Sequence, residues 1–323
     1  MTKLSHASPE RPFDAAAMRQ RVMHRGGQEL ERLMSKPLAG GLYIVATPIG
    51  NLGDMTLRAL ATLARADVIY CEDTRHSRNL LNHYAIAGQL RPYHEHNGAR
   101  ARPRMLAELA KGKRLVLIAD AGTPLISDPG FKLVREAAAA GFDVFALPGP
   151  SAALAALVSA GLPTDSFFFA GFLPSKQTAR RKRLVEMALF PSTLVIYEAP
   201  SRLAACLADI AAMMGAREIV VARELTKLHE ELRRGSAAEL AAWAAEAAAR
   251  GEMVILVGPA AAAVIADDVI RARLEVALED MSLRDAARLI ADDLKLAKRR
   301  VYDLGLKLQD SRGREPGDCQ EID

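Results

Sequence analysis

Three glycine- and proline-rich segments hold most of the small polar groups that could grip a ligand. They are Thr47-Pro48-Ile49-Gly50-Asn51-Leu52-Gly53-Asp54, then Asp120-Ala121-Gly122-Thr123-Pro124-Leu125-Ile126-Ser127-Asp128-Pro129-Gly130, then Leu147-Pro148-Gly149-Pro150-Ser151. Each follows a short apolar run that reads as a strand, and open α/β sheets bind ligands beyond the carboxyl ends of their strands. Asp120, Thr123, Ser127 and Asp128 offer carboxylates and hydroxyls suited to a ribose, an adenine edge or an amino-acid moiety, and the two carboxylates would repel a phosphate. Asp54, Asp128 and Ser151 each make sense as a helix N-cap. Three such ends on one sheet edge exceed what caps explain, and they predict a site for an adenosine-bearing cofactor.

A dinucleotide site is the first alternative. Glu72 and Asp73 lie about 20 residues beyond Gly53, where a ribose-binding acid belongs. The glycine pattern is GxxG and not GxGxxG, so the tight turn of a pyrophosphate site lacks a residue. No GxxxxGK[ST] occurs, which excludes a P-loop.

The elements that must position these segments follow from the pattern. Leu42–Ala46 and Val68–Cys71 read as buried strands by length and flanks. Leu115–Ala119 and Val144–Leu147 continue the series, with helices over Phe131–Ala140 and Ala152–Ala160. Strands alternating with helices imply βαβ units and a parallel sheet. Gly161-Leu162-Pro163-Thr164 reads as a break. Strands at Phe167–Ala170, Leu194–Tyr197, Ile219–Ala222 and Met253–Val257 then form a second α/β domain, with a helix over Ala237–Ala249. After Pro259 the pattern is helical. Leu283–Leu294 and Lys298–Leu308, joined at Lys295-Leu296-Ala297, read as a helix-turn-helix. The expected domains are a partly disordered extension (1–39) with a helix near Ala15–Leu33, α/β domains at 40–160 and 161–260, a helical domain at 270–310 and a polar tail at 311–323.

The succession TPIGNLGD, DAGTPLISDPG, LPGPSA and Gly171-Phe172-Leu173-Pro174 resembles the tetrapyrrole methylase superfamily over roughly Gly40 to Pro259. Within it, YCEDTR (Tyr70–Arg75), YEAPSR (Tyr197–Arg202) and ARELTK (Ala222–Lys227) are similar to the ribosomal RNA small-subunit methyltransferase I branch. The resemblance implies a class III methyltransferase: two α/β domains with the cofactor cleft between them, plus a small C-terminal helical domain. It implies S-adenosylmethionine, held by Pro48, Gly50, Asp120, Gly122, Thr123, Ser127, Asp128, Pro150, Ser151 and Ala152. The absent pyrophosphate answers the missing glycine. It also implies transfer to the ribose 2′-oxygen of a cytidine in 16S rRNA near the decoding centre, and a homodimer.

A sulfonium methyl is already activated, so in-line positioning supplies most of the catalysis and no metal is needed. A ribose hydroxyl is weakly acidic, and a general base would help. Glu72, Asp73 and Glu198, at strand ends, are the candidates, with Arg75 to hold a phosphate or a carboxylate and Lys227 and Glu224 next in line. A salt-bridge network across the domain seam is the rival reading of the same residues.

Basic clusters carry the argument for RNA. Arg100, Arg102, Arg104, Lys111, Lys113 and Arg114 form one, Lys176, Arg180, Arg181, Lys182 and Arg183 a second, and Lys295, Lys298, Arg299 and Arg300 a third. On a chain of net charge only +4, three clusters fit a phosphate-tracking surface. The expected substrate is 16S rRNA, within the small ribosomal subunit. His94 and His96 lack a third ligand and read as loop histidines. Three scattered cysteines, no apolar signal segment after Arg11, Arg19, Arg21 and Arg25, and no run near the roughly 18 apolar residues of a membrane helix predict a cytoplasmic protein. A tetrapyrrole methyltransferase, a nicotinamide-dependent oxidoreductase and a non-catalytic RNA-binding module are the alternatives.

Overall fold

The computed structural model describes residues 14–246, 251–260, 266–294 and 296–312. The chain divides into two units, residues 1–259 and 260–323. The expected disorder in the extension and tail, and Lys295, fall outside the described residues apart from α1 (Ala15–Ser35), the helix foreseen near Ala15–Leu33.

After α1 come β1 (Gly41–Val45), α2 (Leu57–Leu63), β2 (Val68–Cys71), α3 (Thr74–His83), β3 (Leu90–Pro92), α4 (Gly98–Leu109), β4 (Arg114–Ile118), α5 (Phe131–Ala139), β5 (Val144–Leu147) and α6 (Ala152–Ala160). The five strands form one sheet in the order β3-β2-β4-β1-β5, and every pair is parallel. The central strands are unbroken apolar runs because both faces are covered. Along β1, Tyr43 and Val45 join one core while Leu42 and Ile44 join the other, the two-residue alternation of a strand. β1 leads to β2 and β4 leads to β5, each passing over the other strand. The loops beyond their carboxyl ends therefore part in opposite directions and leave a crevice.

The second sheet contains β6 (Phe167–Phe172), β7 (Thr193–Glu198), β8 (Glu218–Arg223), β9 (Glu231–Ser236) and β10 (Met253–Val257), with α7 (Gln177–Met187), α8 (Leu203–Met214) and α9 (Ala237–Glu246). Its order is β6-β7-β10-β8-β9. Only β6 and β7 pair in parallel; the other pairs are antiparallel. The four expected strands are present. The fifth, β9, is Glu-Leu-Arg-Arg-Gly-Ser, and its polarity befits an edge.

α6 places Ala153, Ala156, Leu157 and Ala160 against Val195, Val220 and Val254 of the second sheet. Its alanines let the helix approach closely. The seam between the two sheets thus runs along α6, and Ser151, which caps that helix, sits on the seam.

The second unit holds α10 (Asp267–Asp280), α11 (Leu283–Leu294) and α12 (Lys298–Arg312). Ile270, Leu274, Ile290, Val301 and Leu304 form its core. The expected helix pair is α11 and α12, and α10 completes a three-helix unit.

Candidate active site

The three strand-end loops are tied together by hydrogen bonds. Thr47 and Gly122 exchange backbone bonds of 2.9 and 3.0 Å, joining the ends of β1 and β4. The Thr123 hydroxyl donates to the Pro150 carbonyl at 3.0 Å, joining β4 to β5. The backbone N–H of Asp73, beyond β2, donates to Asp120 Oδ1 at 3.0 Å. Asp73 itself caps α3 by accepting from the Arg75 N–H at 2.7 Å.

Above this edge lies a cleft with two lobes that share Ile49, Asp120, Ala121 and Glu252. The larger lobe, about 410 Å³, is walled by Gly122, Thr123, Ser127, Asp128, Ser151 and Ala152 from the first sheet's loops and by Phe172, Tyr197 and Glu198 from the second. Among the described residues no lysine or arginine lines it, whereas four carboxylates do: Asp120, Asp128, Glu198 and Glu252. The smaller lobe, about 300 Å³, contains Pro48, Gly50, Leu52, His76, Asn79 and Lys227. The ten residues expected to hold the cofactor therefore separate. Pro48 and Gly50 face the smaller lobe and seven others the larger one or the shared wall, while Pro150 contributes the carbonyl that fixes Thr123.

Lys227 comes from the turn after β8 and lies across Gly50. A Cβ at Gly50, where φ is +143°, would stand 2.4 Å from Lys227 Cγ, so glycine is required for the lysine to cross. Its ammonium sits 2.9 Å from Glu224 Oε1 and 3.5 Å from Glu252 Oε2. Burial pulls the Lys227 pKa down, but the two carboxylates outweigh it and hold it above the usual value. Lys227 is a cation at neutral pH. A Cβ at Gly251 (φ +85°) would meet Glu224 Oε1 at 2.2 Å, so this lysine clamp also depends on glycine. Leu125, Ser127, Glu224 and Thr226 adopt positive φ, which places strained non-glycine backbone in both loops that form the cleft.

The candidate bases have different surroundings. Glu198 is 2 % exposed; its carboxylate pairs with Arg202 at 3.0 Å and accepts from the Ala199 N–H at 2.8 Å. Glu72 and Arg75 are exposed, and neither lines a lobe. Asp128 is half-buried; burial first, then the neighbouring charges of Glu72 and Asp120, push its pKa up to about 6. Glu252, which the sequence pattern did not single out, lines both lobes and pairs with Lys227.

The basic clusters also separate. Arg180 is 4 % exposed and points inward to Asp209, at 2.5 Å, so it is removed from the expected RNA surface. Arg181 also binds Asp209, at 2.6 Å, from a half-exposed position. Lys182 is exposed, and Arg183 pairs with Glu186 and lies over the Phe168 ring. Arg102 and Arg114 are held by Glu136 and Asp67. In the second unit Lys298 and Arg299 are exposed and Arg300 pairs with Asp267. Among the described residues no group of His, Cys, Asp and Glu is placed to hold a metal ion, and no helix is long and apolar enough to cross a membrane.

Residues 41–241 match the family model for tetrapyrrole (corrin/porphyrin) methylases, and residues 262–309 match that for the RsmI C-terminal HTH domain. Ribosomal RNA small subunit methyltransferase I of Mesorhizobium japonicum is 48% identical over 288 residues, which cover 88% of this chain and 97% of that protein. The chain belongs to the tetrapyrrole methylase family, in its ribosomal RNA small subunit methyltransferase I branch. The protein of the same name from Xylella fastidiosa is 52% identical over 231 residues, 71% of this chain and 84% of that one. Solved family folds agree at the level of architecture. Diphthine synthase superposes with a TM-score of 0.52 at 14% identity, covering 67% of this chain and 89% of its own. A cobalt precorrin-4 methyltransferase gives 0.50 at 19% identity, covering 67% and 94%. The cleft described above is thus this family member's seam between its two α/β sheets.

Proposed function

We propose that this protein transfers a methyl group from S-adenosylmethionine to the ribose 2′-oxygen of a cytidine in 16S rRNA, near the decoding centre of the small ribosomal subunit. The observation that carries the reading is a lobe whose described lining holds four carboxylates and no cation, joined to a second lobe that presents Lys227. A pyrophosphate would be repelled from the first lobe. A group bearing a sulfonium, an ammonium and an adenosine, without phosphate, fits it. Branch membership supports the rRNA substrate. The homodimer and the cytoplasmic location are part of the same reading, and the exposed Leu154 and Val158 of α6 offer an apolar face for self-association.

Thr123, Ser127, Asp128, Ser151 and Ala152 would hold the cofactor, with Tyr197 and Phe172 against its flat parts. Bound there, it supplies an activated methyl group that needs only an in-line oxygen. The acceptor hydroxyl would enter the smaller lobe and meet Asp120 on the shared wall. One Asp120 oxygen is pinned by the Asp73 N–H, which leaves the other oriented to accept the 2′-hydroxyl proton. Lys227 would steady the negative charge that grows on that oxygen.

The reading is tested by incubating the protein with methyl-labelled S-adenosylmethionine and small ribosomal subunits, then hydrolysing the RNA in alkali. Label in one alkali-resistant dinucleotide is expected. Label on a base, or none on RNA, would defeat it.

The cofactor lobe has its own pH signature. Affinity for S-adenosylmethionine is expected to rise from pH 5 to pH 7 as Asp128 ionises around 6, and then to level off. In Asp128→Asn that rise should vanish, with affinity at pH 7 lower by roughly tenfold or more, the worth of a charge-assisted contact. Stability should move the other way. The folded-state pKa of Asp128 is raised, so ionising it costs stability as pH climbs through about 6. Asp128→Asn should therefore raise Tm at pH 8 and change it little at pH 4. Calorimetry and thermal melts read both arms.

On the RNA side, Lys182→Ala is expected to weaken RNA binding for any sequence. It should reduce the slope of log Kd against log salt by about one, the loss of one phosphate contact. A filter-binding salt titration measures it, and an unchanged slope would take Lys182 off the RNA surface.

A further inference from the structure

The smaller lobe has a wall that the proposed chemistry does not use. α3 presents His76 and Asn79 to it, three residues apart and so on one helix face. Neither side chain makes a hydrogen bond with another described residue. Lys227 also lines the lobe, and Pro48, Leu52 and Leu80 give it apolar surface. A chamber of about 300 Å³ whose described lining combines apolar sides, Lys227, the Asp120 and Glu252 carboxylates and two uncommitted polar groups has room for a single extruded nucleotide.

We propose that this face of α3 reads the acceptor nucleotide, Asn79 pairing with the edge of its base and His76 donating to a flanking phosphate. The inference rests on the RNA reading above and adds to it the residues that hold the nucleotide. A pyrimidine edge sets a donor beside an acceptor, and a carboxamide is the side chain that answers with an acceptor beside a donor. Asp73 caps the first turn of α3 and through its backbone N–H orients Asp120. One segment thereby links the base-reading face to the carboxylate on the shared wall, so a nucleotide seated against Asn79 brings its ribose toward Asp120. His76 lies a turn nearer the helix N-terminus, where the helix dipole favours an anion.

The experiment uses the full-length protein and small subunits reconstituted with either cytidine or uridine at the acceptor position. Wild type, Asn79→Ala and Asn79→Leu are compared for kcat/KM, with the Kd for S-adenosylmethionine measured by calorimetry on each. For both variants kcat/KM on the cytidine substrate is expected to fall about 10- to 100-fold. The fall on the uridine substrate should match it, because a rotated carboxamide answers the uracil edge equally well, and the cofactor Kd should stay as in wild type, which also reports an intact fold. His76→Ala should raise KM. Unchanged kcat/KM on both substrates in both Asn79 variants would overturn the inference, as would a loss of cofactor affinity that placed Asn79 on the donor side. A wild-type protein that methylates neither substrate would instead overturn the RNA reading itself.

Discussion

Lys227→Met is expected to lower kcat about 100- to 1,000-fold, the usual loss when one group that stabilises a developing oxyanion is removed. The cofactor Kd should stay within about threefold, because Lys227 lines the smaller lobe and not the larger one. Methionine keeps the aliphatic stem that lies across Gly50, so the substitution removes the charge with little change in packing. The alternative role, a neutral amine acting as base, is disfavoured by Glu224 and Glu252, which hold the ammonium protonated. Single-turnover rates with saturating RNA decide between the readings. A variant with wild-type kcat would remove Lys227 from the chemistry. A variant whose cofactor affinity collapsed together with its rate would move it to the donor lobe.

The positions of the three loops were legible in the sequence because each apolar run stops at residues that cannot continue a strand: Pro48, the Asp120-Ala121-Gly122 turn, and Pro148. Which lobe each loop serves was not legible. Pro48 and Gly50 line the smaller lobe together with Lys227, which comes from the other sheet and crosses Gly50, and the sequence has no signal for that approach. Glu252 escaped notice for a similar reason: it is a single carboxylate between a glycine and a strand, and only the fold brings it to Lys227. Glu198 illustrates the converse. Its place at a strand end suggested chemistry, while Arg202, four residues on, already suggested the ion pair that holds it.

The run Arg180 to Arg183 looks uniform in sequence, but a helix turns by about 100° per residue, so four consecutive arginines and lysines cannot share a face. Arg180 takes the core side of α7, Arg181 reaches the same buried Asp209 from a half-exposed position, and Lys182 faces solvent. Its partner, Asp209, is on α8, 29 residues away, a pairing no local pattern reveals.

That buried pair sets the second large expectation. Asp209→Ala should destabilise the protein by about 3–5 kcal/mol, the cost of leaving a buried charge uncompensated. Asp209 is fully buried and accepts from Arg180 Nε at 2.8 Å, Arg181 Nε at 2.6 Å and Gln177 Nε2 at 3.1 Å. Burial alone would raise its pKa, but the arginines and the glutamine outweigh it and hold the carboxyl below the ordinary range. The stability it contributes is therefore complete above the ordinary carboxylate pKa and is lost as pH falls through the lowered folded-state value. Urea melts at pH 7 should show the full difference between wild type and Asp209→Ala, and acid melts should show it closing. Arg181→Ala should cost about 1 kcal/mol or less, because that side chain is half exposed and its loss strands no buried charge. Replacing Arg180 and Asp209 together by leucine separates pairing from packing. If the penalty is the stranded Arg180 guanidinium, the double variant recovers most of the stability, since apolar residues can substitute for a buried ion pair. If instead the network is needed to hold α7 against α8, the double variant stays about as unstable as Asp209→Ala.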